Sequence, residues 1–234
     1  MVRMTQIGDR RTSVDVIVDD LYAKIVSLDL KPGDKISEAE IAAEFGVSRQ
    51  PVRDAFSRLS NLGLLLIRPQ RATEVRRFSY REIEKSRFVR AAVEAEALRR
   101  AAQHCDEDGA ALIDACLESQ YEAEAESDTK TFGTLDYEFH KTLCSIGKVD
   151  FAFEVISAEK AKVDRLCALG LSHRGLSKEN RMPQLIKDHE AIAAAVKKGD
   201  EDAAVAAGML HLTRLDSTIE IIKATNANYF DPEP

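Results

Sequence analysis

The stretch from Ile36 to Val75 reads ISEAEIAAEFGVSRQPVRDAFSRLSNLGLLLIRPQRATEV. Ser37-Glu38-Ala39-Glu40 fits a capping box, in which the serine hydroxyl takes the third N–H of a helix and Glu40 reaches back to the cap. Ile41, Ala42 and Phe45 then share one face, and Gly46 stands where a left-handed residue would end the helix. Ser48 can cap a second helix. Pro51 costs little in its first turn, where N–H groups have no intrahelical partner. Val52, Ala55, Phe56, Leu59 and Leu62 make the apolar stripe of that helix, while Arg49, Arg53 and Ser57 recur every four residues on another face. Leu64 to Arg68 reads as a strand, Pro69 to Ala72 as a tip, and Thr73 to Arg76 as the returning strand.

Upstream, Val14, Ile17, Val18, Leu21, Ile25 and Leu28 recur at helical spacing and predict a helix over 13–28. Lys31-Pro32-Gly33-Asp34 is a turn, with φ preset by proline and the left-handed region open to glycine. Helix, helix, glycine turn, helix and basic hairpin is the order of a winged helix-turn-helix, so the expected partner is duplex DNA. Arg49, Gln50 and Arg53 occupy the first turns of the second helix of the motif, the part that meets base edges and phosphates. Arginine can bond guanine through two hydrogen bonds, and glutamine can do the same to adenine. Arg71 at the hairpin tip can follow the backbone or enter the minor groove. Two arginines four apart are common on any helix; the linked order of caps, turn and hairpin is what makes the reading specific.

The whole chain of 234 residues carries a net charge of −7, which looks wrong for a DNA binder until it is divided. Residues 1–77 hold 13 Lys and Arg against 11 Asp and Glu, and residues 78–234 hold 20 against 29. The acidity sits in the second part, where it discourages non-specific contact with DNA. The four cysteines, Cys105, Cys116, Cys144 and Cys167, form no CxxC pair, so neither a zinc ribbon nor a disulfide framework is indicated. There is no signal peptide and no apolar run of membrane-spanning length, so a cytoplasmic protein with no membrane partner is expected.

From Ser79 onward the pattern is helical. Helices are predicted near 79–104, 107–126, 129–146, 149–169, 182–198 and 201–224, with Arg76 to Tyr80 as linker. The expected fold is mainly α: a winged helix-turn-helix over 1–77 and an all-α antiparallel bundle of about six helices over 78–234. Asp136 and His140 lie four apart and share a helix face, with His189 and His211 on two later helices. A bundle can gather one carboxylate and three imidazoles around a divalent metal such as zinc, leaving positions open for another ligand. Spacing alone leaves this open, because Asp-x-x-x-His is frequent by chance and a helical histidine is more often structural. His104 and His173 have no partner in any pattern and read as structural or solvated. Tyr229-Phe230 either packs onto the bundle or frays.

Leu30-Lys31-Pro32-Gly33, Phe45-Gly46-Val47-Ser48-Arg49, Pro51-Val52-Arg53-Asp54-Ala55 and Leu59 to Leu64 closely resemble the DNA-binding domain of the GntR family of bacterial transcription regulators. The resemblance implies that Ser48, Arg49, Gln50 and Arg53 contact DNA, with Arg71 on the wing. Ala72 and Ala39 depart from the family, whose members often carry glycine and sometimes arginine there. Residues 79 to 225 resemble the FCD-type ligand-binding domain of the FadR subfamily, through Val89 to Glu94, Asp136-Tyr137-Glu138-Phe139-His140, Asp188 to Ile192 and Met209 to Leu212. That resemblance implies Asp136, His140, His189 and His211 as metal ligands, zinc being the first expectation and nickel or manganese the alternatives. Arg90 would hold the carboxylate of a small organic acid effector and Arg165 would be a second anion contact. The implied protein is a homodimeric transcription regulator, a repressor rather than an activator, not an enzyme, with operator affinity set by the acid. Two other readings stand beside it: a metal-dependent hydrolase, and a DNA-binding scaffold with a purely structural metal.

Overall fold

The computed structural model describes residues 11–171 and 181–232. The described residues divide into two compact units, one of 11–78 with 228–232 and one of 79–171 with 181–227.

In the first unit, α1 (Ser13–Val26) is held at its start by a capping box between Thr12 and Asp15. It ends two residues short of the predicted 28, because Leu28 takes a left-handed φ of 62°. A strand that local pattern did not reveal, β1 (Lys35–Ile36), precedes α2 (Glu38–Phe45) and α3 (Arg49–Asn61). The strands β2 (Leu65–Leu66) and β3 (Thr73–Val75) complete an antiparallel sheet of order β1-β3-β2. Lys35 pairs with Glu74 and Leu65 with Val75, so β3 is the central strand. Gly46, with φ of 63°, caps α2 in the left-handed region that other residues avoid. Ser37 caps α2 through the N–H of Ala39, not through the predicted reciprocal box with Glu40. Ser48 occupies the cap position of α3 but makes no side-chain cap bond. Val52, Ala55, Phe56 and Leu59 are buried against Ile17, Leu21, Ile25 and Ile41 as the stripe requires. Leu62 is the exception, 53% exposed, because α3 has already ended at Asn61.

The second unit contains α4 (Tyr80–His104), α5 (Glu107–Ala125), α6 (Thr129–Ile146), α7 (Asp150–Ala161), α8 (Asp164–Leu171), α9 (Met182–Lys198) and α10 (Glu201–Thr225). Asp106, Asp128 and Asp200 cap α5, α6 and α10 with side-chain bonds to first-turn N–H groups. The two long helices α4 and α10 pack together, with α9 against α10 and α6 against α5. Leu98, Ile113, Phe139, Leu143, Ile192, Val196 and Ala204 form the central core.

The predicted helix over 149–169 is two helices. Lys162 and Val163 bond back to Glu159 and Lys160, a tight turn that neither glycine nor proline announces. In an unbroken helix residues 160 and 165 would point about 140° apart; with the step, both Lys160 and Arg165 are 6% exposed. The break expected across 170–183 falls mostly on 172–180, outside the described residues, as does His173. His104 is exposed at the end of α4. The tail does not fray but is held in the first unit: Phe78 donates to Tyr229, Asp231 donates to Phe78, and the rings of Phe78 and Phe230 stand 5.4 Å apart.

Candidate DNA-reading face and candidate metal centre

In the first unit, Ser48, Arg49, Gln50 and Arg53 are all exposed at the start of α3. Gln50 donates to Asp54 at 3.0 Å, and Arg53 donates to Glu38 at 2.9 Å. These are exposed contacts of small worth, so both side chains can exchange them for base edges or phosphates. Arg71 lies at the tip of the wing between β2 and β3, where Gln70 turns with φ of 56°. Lys35, Arg68 and Arg71 line a hollow of about 430 Å³ together with Leu66, Ala72 and Glu74. Lys35 escaped the sequence reading because its place on the wing depends on the pairing of β1 with β3.

In the second unit, α6 supplies Asp136 and His140, α9 supplies His189 and α10 supplies His211, and all four are buried. One ligand atom from each lies within 4.8 Å of the others. The rings of His189 and His211 stand 4.7 Å apart, and Phe139 stacks on His189 at 4.3 Å.

Neighbouring side chains orient the imidazoles. Gln120 donates its amide to the Leu135 carbonyl, which turns its oxygen to His189 Nδ1 at 2.7 Å. His189 therefore carries its proton on Nδ1 and presents a lone pair on Nε2. Glu94 Oε2 lies 3.4 Å from His140 Nδ1 and fixes that ring the same way. Asp188, whose Oδ2 accepts from Nε and Oδ1 from Nη2 of Arg214, places Oδ2 3.8 Å from His211 Nδ1. A carboxylate or amide behind each imidazole is the usual support of a metal-ligating histidine.

His140 Nε2, His189 Nε2 and His211 Nδ1 are buried without a hydrogen-bond partner. His189 Nε2 faces Asp136 Oδ1 at 3.4 Å, two acceptors opposed. Burial pushes His140 down to about 3, only partly offset by Glu94 and Asp136, and burial lowers His189 as well. Burial would raise Asp136, but the Lys160 ammonium beside it holds it well below the carboxylate range. Asp136, His140 and His189 are thus in the deprotonated forms that bind a cation, and the four residues fit a divalent metal.

Arg90 is 7% exposed and donates through Nε to Glu94 at 2.8 Å, a buried ion pair where helical spacing alone allowed a surface one. Arg165 is also buried, on α8. Lys160 Nζ lies 3.1 Å from Asp136 Oδ2. Glu94, Gln120, Lys160 and Asp188 were missed as site residues, since on single helices they read as ordinary polar positions.

A winged helix-turn-helix with a basic reading face, followed by an all-α unit with a buried carboxylate–imidazole cluster, defines the class of two-domain DNA-binding regulators. Residues 14–75 match the gntR family of bacterial regulatory proteins, and residues 87–214 match the FCD domain. The HTH-type transcriptional repressor RspR of Escherichia coli K12 is 32% identical over 229 residues, 98% of each chain. The chain belongs to the GntR family of transcription regulators, in the branch that carries an FCD domain. The fold is also that of E. coli McbR/YncC (TM-score 0.65, 18% identity, 92% of this chain and 100% of that one). It is likewise that of a GntR regulator from Rhodococcus sp. RHA1 (TM-score 0.64, 22% identity, 90% and 98%). Both matched families and the relative are transcriptional regulators and not enzymes, which removes the hydrolase reading. Among the described residues no helix is long and apolar enough to cross a membrane.

Proposed function

We propose that this DNA-binding transcription regulator is a cytoplasmic, homodimeric repressor. A small carboxylic acid, held with a divalent metal in the helical unit, sets its operator affinity. The observation that carries the proposal is the convergence of Asp136, His140, His189 and His211, with their ligand atoms within 4.8 Å and the Nε2 atoms of His140 and His189 left without partners. Zinc suits a three-nitrogen, one-oxygen set and leaves room for an added ligand, with nickel and manganese as alternatives. When bound, the metal supplies a fixed positive charge and an open coordination position for a carboxylate.

The chain's own residues supply the rest. Arg90 uses only Nε on Glu94, so its terminal N–H groups remain for an incoming carboxylate. Glu94 ties Arg90 to His140, and Arg165 adds a second buried cation on α8. In the first unit, Ser48, Arg49, Gln50 and Arg53 read the major groove and Arg71 follows the wing. Repression is favoured by the name of the E. coli relative. A dimer would place two such heads on a palindromic site.

The test is operator binding by fluorescence anisotropy, with zinc-loaded full-length protein, a duplex selected from a random pool, and a panel of small organic acids. The expected result is that one class of acid weakens operator binding by about 5- to 150-fold, the usual range of such coupling, and that Arg90→Ala abolishes the effect. Acids that leave operator affinity unchanged while zinc is bound would overturn the switch and leave a DNA-binding scaffold with a structural metal.

A further inference from the structure

The hollow on the wing has no occupant in the reading above. Strand alternation puts Lys35, Leu66 and Glu74 on the outer face of the sheet, while Ile36, Leu65 and Val75 are buried beneath it. The register lines the outer three up. Glu74, on the central strand, pairs with Lys35 of β1 on one side and with Leu66 of β2 on the other. Arg68 and Arg71, from the turn between β2 and β3, complete the hollow with Ala72. Arg71 therefore belongs to the face of the sheet as well as to the tip of the wing.

The charge of the hollow points to an anion. Glu74 is the one acid lining it, and Arg77 already holds that carboxylate in an ion pair. Lys35, Arg68 and Arg71 are exposed, and among the described residues none of the three has an ion pair or a side-chain hydrogen bond. Cations elsewhere in the same unit are matched: Lys24 with Glu44, Arg53 with Glu38 and Arg58 with Asp15. Positive charges gathered on one concavity concentrate an anion there. Leu66 and Ala72 offer no side-chain donor or acceptor to a base edge, so the hollow is poorly built to read sequence. Its volume of about 430 Å³ falls in the range of pockets that take a small molecule, about 300–1,000 Å³. That suits a sugar–phosphate unit, with its oxygens among the cations and its sugar over the apolar side chains.

We infer that the outer face of the wing sheet is a seat for the DNA backbone, in which Lys35, Arg68 and Arg71 grip one sugar–phosphate segment. The wing then positions the duplex and adds affinity without reading bases. This rests on DNA binding by the first unit. It adds Lys35 and Arg68 to the interface and assigns Arg71 to the backbone, not to the minor groove.

The experiment is fluorescence anisotropy of the zinc-loaded full chain, without acid, on the selected operator and on an unrelated duplex of equal length. Lys35→Gln should weaken binding to both duplexes by the same factor, about fivefold at about 0.15 M salt, and flatten the slope of log affinity against log salt by about one. Its unfolding midpoint should not move, because Lys35 is exposed, and Lys35→Arg should keep both affinity and slope. Replacing operator phosphates one at a time by neutral methylphosphonates locates the contact. At the seated phosphate the replacement should weaken binding by the unaltered chain and cost nothing further in Lys35→Gln or Arg68→Ala. Unchanged affinity and slope in Lys35→Gln and Arg68→Ala, while Arg53→Ala still weakens operator binding, would overturn the seat and leave α3 as the interface. A loss in Lys35→Gln or Arg71→Ala confined to the operator would mean base reading by the wing and would overturn it too. If Arg53→Ala is also without effect, the placement of DNA on this unit falls, and this inference with it.

Discussion

Arg53 illustrates how a reading residue is kept available. Its side chain bonds Glu38 at 2.9 Å and stays 56% exposed. An exposed pair of this kind is worth about 0–1 kcal/mol. Arg53→Ala should leave the unfolding transition in place and weaken operator binding, with the slope of log affinity against log salt flattened by about one. Unchanged affinity at matched salt would take the first turns of α3 out of the interface. The buried imidazoles make a second prediction. His140 is pushed from 6.5 down to about 3, and His189 is lowered as well. Between those values the unfolded chain binds protons that the folded chain refuses, so stability falls as pH falls. Metal-free protein should hold its urea midpoint above pH 7 and lose it steadily from about pH 6.5 toward pH 3. Glu94, Asp136 and Asp188, all held low in the fold, add to the loss at the acid end. A midpoint constant between pH 7 and pH 5 would contradict neutral, buried imidazoles.

At the scale of elements, α6 carries the Asp136–His140 pair and must hold its position against α4. Gly147, at the end of α6, brings the two helices into backbone contact. A Cβ there would lie 3.0 Å from the Ala97 carbonyl oxygen and 3.1 Å from the Ala101 nitrogen. Backbone cannot give way as a side-chain tip can, so Gly147→Ala should destabilise the protein by about 1–3 kcal/mol. Gly133, in the same helix, has nothing within 4 Å of an added Cβ. Gly133→Ala should therefore stabilise by about 0.5–1 kcal/mol, through reduced backbone entropy in the unfolded chain. Urea unfolding of both variants measures the two effects, and equal signs would mean that the α4–α6 contact is looser than described. The step between α7 and α8 belongs to this scale too, because it turns Lys160 and Arg165 inward from one run of sequence.

For the molecule as a whole, a metal that ties α6, α9 and α10 together couples binding to folding. A metal at 100 times its dissociation constant adds about 2.7 kcal/mol of stability. Zinc should raise the melting temperature of the chelator-treated protein, and His189→Ala should melt at one temperature with or without zinc. A zinc-dependent shift that survives in His189→Ala would place the metal elsewhere. The acidic helical unit and the near-neutral DNA-binding unit differ in charge, which leaves DNA contact to the first unit and holds the proposed ligand chemistry apart from it.

Local patterns are enough to write down the winged helix-turn-helix and most helix ends in the second unit. Caps such as Asp106, Asp128 and Asp200 act within one turn, and periodic apolar stripes record which face is covered. Family resemblance, more than spacing, singled out His189 and His211 among the histidines. The tertiary structure alone decided what depends on distant partners. It placed β1 on the wing, ended α7 at Ala161, returned the tail to Phe78, and buried the Arg90–Glu94 pair that spacing leaves on the surface. It also brought Lys160, from a stretch that reads simply as helix, to 3.1 Å from Asp136. Burial is set by whichever helix arrives on the other side, and no residue carries that information within its own turn of chain.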